Sequence, residues 1–189
     1  MKNVLIINQK GGVGKTLIAD ELAFSFERDG IPFNFYDLDN QGSAIHGTSR
    51  RDDAVVSVID TPGSLQSQLA DWIESADFII VPTTMGRSEM KPLETMVKIL
   101  EPYKDKKPVL FVFNCWEHDT MSSDFISWFN SKYPELKTTT ISKTVQLKKA
   151  ASYGMSIADF KRKNVTCDQL NYIYSSVKYE LNLKDERTA

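Results

Sequence analysis

The sequence feature that most constrains the fold is the run Lys10 to Thr16, which reads K-G-G-V-G-K-T and separates an apolar segment from an amphipathic one. A loop placed between a strand and a helix aims successive backbone N–H groups and the positive end of a helix dipole at one point, as a di- or triphosphate requires. The glycines let the backbone approach closely, Lys15 can reach the β and γ phosphates, and the Thr16 hydroxyl can ligate Mg²⁺. The run therefore predicts a nucleotide site, although Gln9 stands where the general pattern G-x-x-x-x-G-K-[ST] has its first glycine.

The rest of the chain alternates between apolar runs and helical periodicity, which is typical of a parallel sheet covered by helices on both faces. Five or six buried strands are predicted, over 3–8, 33–37, 55–59, 78–82, 108–114 and 137–141. Apolar residues at helical spacing predict helices over 16–29, 88–101, 122–133 and 167–181.

Length and composition indicate one globular domain. A chain of 189 residues can bury a sizeable core, and we expect the domain to span 1–182, followed by a polar tail at 183–189. The longest apolar runs are far shorter than the roughly 20 residues that span a bilayer, and the N-terminal apolar segment is too short for a signal peptide, so a cytoplasmic protein is expected. With 23 basic and 25 acidic residues, any nucleic-acid binding must come from a local patch.

Two acidic segments follow predicted strands. Asp37 and Asp39 come after the second strand, and a carboxylate there can orient an attacking water, although both residues could simply cap a turn. The third strand runs into Asp60, where a carboxylate can hold Mg²⁺ through water opposite the hydroxyl of the phosphate loop.

Three motifs in this order resemble the deviant Walker A ATPases of the ParA/MinD family, and the resemblance is greatest to small ParA-type partition ATPases. They are the loop from Lys10 to Thr16, the segment D-L-D-N-Q-G-S-A from Asp37, and D-T-P-G from Asp60. The resemblance implies a P-loop NTPase fold in one domain, with a mostly parallel central sheet and helices on both faces. It also implies an ATPase that uses ATP and Mg²⁺, turns over slowly and is stimulated by a partner.

The resemblance also implies roles for single residues. Lys10 is expected to cross a dimer interface to the neighbour's nucleotide, and Lys15 and Asp39 are the other expected catalytic residues. Mg²⁺ is expected at Thr16 and, through water, at Asp60, and Asn114 is expected to hydrogen-bond the adenine. The remaining nucleotide contacts are expected from Gly11, Gly12, Val13, Gly14 and Leu17, and the switch segments from Asp39 and Gln41 and from Thr61, Pro62 and Gly63.

The chain also departs from the family's pattern. Asn40 replaces a proline, Leu17 stands where a second threonine is common, and only 15 residues separate Asp39 from Val55, an interval that is usually longer in the family. These departures lie near the nucleotide and bear on the hydrolysis rate, while they leave the phosphate, metal and lysine ligands in place.

The partners expected from the resemblance are a second copy of the chain in the ATP state, non-specific DNA and a ParB-like centromere-binding protein. The candidate DNA contacts are two basic clusters, which could equally be solvated surface: Lys143, Lys148 and Lys149, and Lys161, Arg162 and Lys163. The acidic end of the chain argues against a membrane-binding helix.

The function that these expectations describe is ATP-driven plasmid or chromosome partition by a cytoplasmic, nucleoid-associated protein. Two alternatives remain open. One is an ATP-dependent positioning switch for another cargo, such as conjugation machinery. The other is a metabolic enzyme similar to dethiobiotin synthetase, against which Lys10 and the segment from Asp39 argue.

Overall fold

The computed structural model describes residues 1–39, 44–63, 68–161 and 163–184. Six strands form one parallel sheet in the order β2-β3-β1-β4-β5-β6. The strands are β1 (Lys2–Ile6), β2 (Phe33–Asp37), β3 (Val56–Asp60), β4 (Phe78–Thr83), β5 (Val109–Trp116) and β6 (Lys137–Ser142).

Helices cover both faces of this sheet. Those assigned are α1 (Lys15–Asp29), α2 (Leu69–Ser75), α3 (Arg87–Leu100), α4 (Thr120–Lys132), α5 (Val145–Ser152), α6 (Ile157–Phe160) and α7 (Val165–Leu181), and a 3₁₀ turn (Glu101–Tyr103) follows α3. Helices α1, α5, α6 and α7 pack on one face, and α2, α3 and α4 pack on the other. The predicted α/β class and its two helical layers are confirmed.

The central strand β1 shows why the sheet needs both layers. Val4 and Ile6 are buried in the core beneath α1, while Leu5 and Ile7 are buried in the core beneath α3 and α4. Successive side chains of a strand point to opposite faces, so an uninterrupted apolar run can be satisfied only when both faces are covered.

The predicted strands all exist, with ends that differ by at most two residues, and so do the four predicted helices. The sequence analysis missed α2, α5 and α6, which have four to eight residues and therefore too few turns for a hydrophobic period to stand out. Two of these helices begin at a local signal. Thr144 and Ser156 are the N-cap residues of α5 and α6, and their side chains accept hydrogen bonds from Gln146 N and Ala158 N.

Past the predicted end of the domain at residue 182, Leu183 still packs against the core and donates its N–H to Lys178 O. Residues 185–189 of the predicted tail lie outside the described residues. Within the described ranges, none of the helices combines the length and the apolar character that crossing a bilayer demands.

All six strands run in the same direction, so their carboxyl ends meet at one edge of the sheet, here called the carboxyl edge. The loop after β1, the residues after β2 and β3, and the end of β5 all lie at this edge. Open α/β sheets bind ligands in the crevice outside the carboxyl ends of their strands. The topology thereby brings segments that are far apart in sequence into one place.

Candidate nucleotide site

The loop between β1 and α1, residues 7–14, is held at its start by a buried carboxamide. Asn8 is 2% exposed, its Nδ2 donates to Pro82 O of β4 at 2.7 Å, and its Oδ1 accepts from Lys10 N at 2.9 Å. The first bond fixes the loop to the neighbouring strand, and the second turns the backbone into the glycine run. Sequence analysis gave Asn8 no role, because a polar residue after a strand is an ordinary loop residue.

A second carboxamide holds the other end of the loop. Asn114 Nδ2 donates to Val13 O at 3.0 Å, and its Oδ1 accepts from Cys115 N at 2.8 Å. A β-bulge in β5 next to Asn114, with Cys115 at φ 60°, aims this side chain at the loop. Asn114 is 6% exposed and uses one N–H and one lone pair of its amide in these two bonds, so its first role in the structure is to hold the loop.

Gly14 is the position where the loop cannot carry a side chain. Its φ is 98°, and a Cβ there would stand 2.2 Å from Asn114 Nδ2. Glycine is thus required at this position for two reasons. Its φ is left-handed, and a side chain would collide with Asn114 where that residue holds the loop.

Lys15 begins α1 and is buried, with 5% exposure. Its Nζ donates to Lys10 O at 3.2 Å, so the ammonium folds back over the loop. Burial lowers the pKa of Lys15, while the nearby charges of Asp60 and Asp39 act against that shift. A buried cation enclosed by backbone and held near two carboxylates is an arrangement that can bind phosphate oxygens.

Asp60 ends β3 and is fully buried, and neither of its carboxylate oxygens accepts a hydrogen bond of good geometry among the described residues. Burial raises the pKa of Asp60 to about 6, while the Thr16 hydroxyl and the charge of Lys15 are near enough to act against the shift. A buried carboxylate without donors is costly, and a cation or its bound water would satisfy it. Asp60 and Thr16 therefore fit the metal role predicted for them.

The two acidic segments lie side by side because β2 and β3 pair in register. Leu38 N donates to Asp60 O at 2.9 Å, and Asp37 Oδ1 accepts from Asp39 N at 3.0 Å. Asp37 thus caps the turn, and burial raises its pKa. Asp39 is near enough for its charge to act on the pKa of both Lys15 and Asp60, so the structure places it beside these residues, and its role toward the attacking water stays a prediction. Gln41 lies outside the described residues.

The segment after β3 touches the phosphate loop directly. Thr61 is buried and its Oγ1 donates to Ile6 O at 2.9 Å. A Cβ on Gly63 would lie 3.0 Å from both Cα and N of Gly11, so the two backbones meet without a side chain between them. The predicted second switch, Thr61 to Gly63, is therefore in contact with the loop it is expected to sense.

The Lys10 side chain forms an ion pair with Glu89 in the first turn of α3. The Lys10 side chain is 38% exposed, whereas that of Glu89 is 8% exposed. Sequence analysis missed Glu89, and the available signal was only an acidic residue at the start of a helix that follows a strand at the carboxyl edge.

The loop, the buried Asp60 and the paired strands together make a nucleotide site, and the comparison with known families agrees. Residues 4–157 match the model for the CobQ/CobB/MinD/ParA nucleotide-binding domain. The chain belongs to this family. It is a ParA/MinD-family ATPase, which hydrolyses ATP to ADP and phosphate. Among curated proteins, no sequence matches the chain significantly.

Solved structures share the whole fold of this ATPase. Cyanothece McdA in a complex with ATP has a TM-score of 0.78 and 15% identity, with 97% of each chain covered. MinD from Pyrococcus horikoshii with Mg-ADP has a TM-score of 0.69 and 14% identity, over 93% of this chain and 95% of that one. A putative plasmid partition protein from Borrelia burgdorferi bound to AMPPNP has a TM-score of 0.68 and 14% identity, over 95% and 97%.

The predicted DNA contacts that the structure describes are exposed. Lys148 and Lys149 lie on α5, Lys143 precedes that helix, and Lys161 and Lys163 lie between α6 and α7. Lys143 pairs with Glu117 at 2.8 Å, which reduces its availability to a phosphate. Arg162 lies outside the described residues.

The Asn114 clamp predicts that Asn114→Ala weakens nucleotide binding whatever the base. We expect about a tenfold loss of affinity for ATP and a similar loss for inorganic tripolyphosphate, because a loosened loop presents its N–H groups less well; this is about 1.4 kcal/mol. Isothermal titration calorimetry measures both, with Asn130→Ala, at an exposed position of α4, as control. A loss confined to ATP would instead assign Asn114 to the adenine.

The buried carboxylate of Asp60 predicts that Asp60→Asn stabilises the nucleotide-free protein at pH 7.5. The folded-state pKa of about 6 exceeds the unfolded value of about 3.9, so the folded protein holds this proton more tightly. Its contribution to stability is full below about pH 4 and is lost as pH rises through 6. A shift of about two units corresponds to a gain of up to about 3 kcal/mol for the neutral isostere at pH 7.5.

Urea unfolding of both proteins at pH 4.5 and pH 7.5 tests this, and we expect most of the gain only at the higher pH. The control is Asp53→Asn, because the partner Arg51 lowers the pKa of that exposed carboxylate and no gain should follow. An Asp60→Asn variant that is less stable than the parent at pH 7.5 would contradict a strained carboxylate at this site.

Proposed function

We propose that this ATPase is a ParA-type partition switch: MgATP binding closes a sandwich dimer, the dimer binds DNA non-specifically, and a ParB-like partner stimulates hydrolysis and release. The observation that carries the proposal is the second lysine of the loop. Lys10 has a partly exposed side chain that pairs with Glu89 of α3, whereas Lys15 is buried near Asp60 and Asp39.

The two lysines have different proposed roles because their surroundings differ. Lys15 lies within reach of its own subunit's phosphates, near Asp60 and Asp39. A second subunit that faced the loop would bring two nucleotides close together, and their like charges repel unless cations lie between them. Lys10, given in trans, supplies such a cation, and dimerisation then depends on the phosphates it binds.

Mg²⁺ would be held by the Thr16 hydroxyl and, through water, by Asp60. The ion would neutralise charge on the phosphate oxygens. The residues do the positioning: the N–H groups of the loop bind the phosphates, Lys15 contributes a buried cation, and Asp39 orients the attacking water. The pairing of β2 with β3 sets the distance between Asp39 and the metal ligands.

DNA binding would use exposed lysines of α5 and the segment after α6. Helix α5, which carries Lys148 and Lys149, packs against α6, and Lys161 follows α6 directly. Tyr153, at the end of α5, is 70% exposed and stacks on Phe160, the residue before Lys161, with ring centroids 5.9 Å apart. Contacts of this kind bind the phosphate backbone without reading sequence.

The dimer predicts a defined nucleotide dependence. We expect the protein to be a monomer with ADP and a dimer with ATP and Mg²⁺, and we expect Lys10→Ala to remain monomeric while it still binds ATP. Light scattering coupled to size exclusion measures the mass. The matched control is Lys104→Ala, an exposed lysine near the start of β5 and so at the opposite edge of the sheet. A monomer in every condition would overturn the sandwich dimer.

The DNA surface predicts that the ATP-bound dimer binds duplex DNA of any sequence. Replacement of Lys148 and Lys149 by alanine should weaken binding at least about tenfold and reduce its salt dependence, because fewer counterions are released. Replacement of Lys104 and Lys106, at the opposite edge, serves as control in fluorescence anisotropy. A parent protein that dimerises with ATP but does not bind DNA would favour a positioning switch for a different cargo.

A further inference from the structure

Glu89 is a buried carboxylate that pairs with a residue of the phosphate loop. It occupies the third position of α3, and the residue is 6% exposed. Its Oε1 accepts from Lys10 Nζ and, at 3.0 Å, from Ser88 Oγ, while its Oε2 is buried without a hydrogen-bond donor among the described residues. Lys10 is therefore the one cation paired with Glu89 in the part of the chain that the structure describes.

The two members of this pair differ in their freedom to leave it. Lys10 sits on a glycine-rich loop with a partly exposed side chain, whereas Glu89 is fixed by its helix and by burial. The positive end of the α3 dipole favours a carboxylate at Glu89, but it does not replace a direct partner for the second oxygen. A buried charge that loses its only ionic partner is strongly disfavoured.

We propose that Glu89 is a positioning residue that holds Lys10 within its own subunit and thereby opposes dimerisation until ATP is bound. This rests on the proposed function, because Lys10 must reach the partner's nucleotide. Each subunit that gives Lys10 to its neighbour leaves Glu89 without that cation, and the cost is incurred twice per dimer. The concentrated negative charge of a bound triphosphate is what competes with a single carboxylate for the ammonium.

The ion pair between Lys10 and Glu89 opposes dimerisation in the absence of nucleotide. In the structure, the ammonium of Lys10 is already paired with Glu89. Lys10 must break this ion pair before it can bind the partner's nucleotide, so the free energy of dimerisation becomes less favourable by the strength of the pair. A ligand with fewer phosphate charges at the interface would compensate less for that loss. Glu89 would in this way sharpen the difference between the ATP and ADP states.

The first experiment tests the ion pair in the nucleotide-free protein and does not depend on dimerisation. We expect Lys10→Ala to lower the urea midpoint because it leaves Glu89 unpaired, and we expect the double variant Lys10→Ala/Glu89→Gln to unfold at a higher midpoint than Lys10→Ala alone. The matched cycle uses Glu94, which lies on the same helix as Glu89 but pairs with Lys132 of α4, so the effects of Glu94→Gln and Lys10→Ala should be additive. Additive effects of Lys10 and Glu89 would overturn the proposal.

The second experiment measures the dimer dissociation constant in ATP and Mg²⁺ by analytical ultracentrifugation. We expect Glu89→Gln to lower the dimer dissociation constant at least about tenfold, or about 1.4 kcal/mol. We expect the same variant to be no more stable to urea than the parent. We expect Glu89→Asp to stay within about threefold of the parent because it keeps the charge, and Glu94→Gln to leave the constant unchanged.

The outcomes separate the two proposals. If the parent protein does not dimerise with ATP, the proposed function fails, while the urea midpoints still report whether the pair exists. If the parent dimerises and Glu89→Gln dimerises equally or more weakly, Glu89 does not oppose the dimer and the inference is overturned. Tightening in Glu89→Gln that Glu89→Asp does not share assigns the effect to the charge.

Discussion

Two buried carboxamides hold the phosphate loop, and the geometry of the rest of the site depends on them. Asn8 ties the start of the loop to β4, and Asn114 ties its end to β5. Glycine-rich backbone has a high conformational entropy when it is free, so a loop of this composition presents a fixed set of N–H groups only if other residues restrain it. Hydrogen bonds from neighbouring strands provide that restraint and leave the inner surface of the loop open to a ligand.

The charges at the carboxyl edge are arranged at a cost to the nucleotide-free fold. Among the described residues, the buried Asp60 carboxylate accepts no hydrogen bond of good geometry and one oxygen of Glu89 has no donor, while Lys15 is buried beside a backbone oxygen. Each of these groups would be more stable in water, and together they form a site whose missing interactions are those that a phosphate and a cation supply. A ligand that binds only the folded state then stabilises the protein as it satisfies these groups.

The sequence was sufficient for the fold class and the strand positions, because each depends on local pattern, and it singled out the phosphate loop, Asp39 and Asp60, which the topology brings to the carboxyl edge. Unbroken apolar runs mark buried parallel strands, and the order of loop, Asp39 and Asp60 follows from how parallel strands align. The contacts that set the geometry were not predictable. Three residues act through partners about 70 to 100 residues away in the sequence: Asn8, Asn114 and Glu89. The orientation of Asn114 also depends on a β-bulge that no sequence pattern predicts. The short helices were missed because their periods are incomplete.

The close approach of Gly63 to Gly11 has a mechanical consequence. Where two backbones touch directly, neither can move toward the other by more than a few tenths of an ångström before the other has to follow. Side chains between segments usually absorb small displacements by changing rotamer, and no side chain lies between these two glycines. A movement of Gly11 toward Gly63 as a phosphate enters would therefore pass directly to the segment that follows β3.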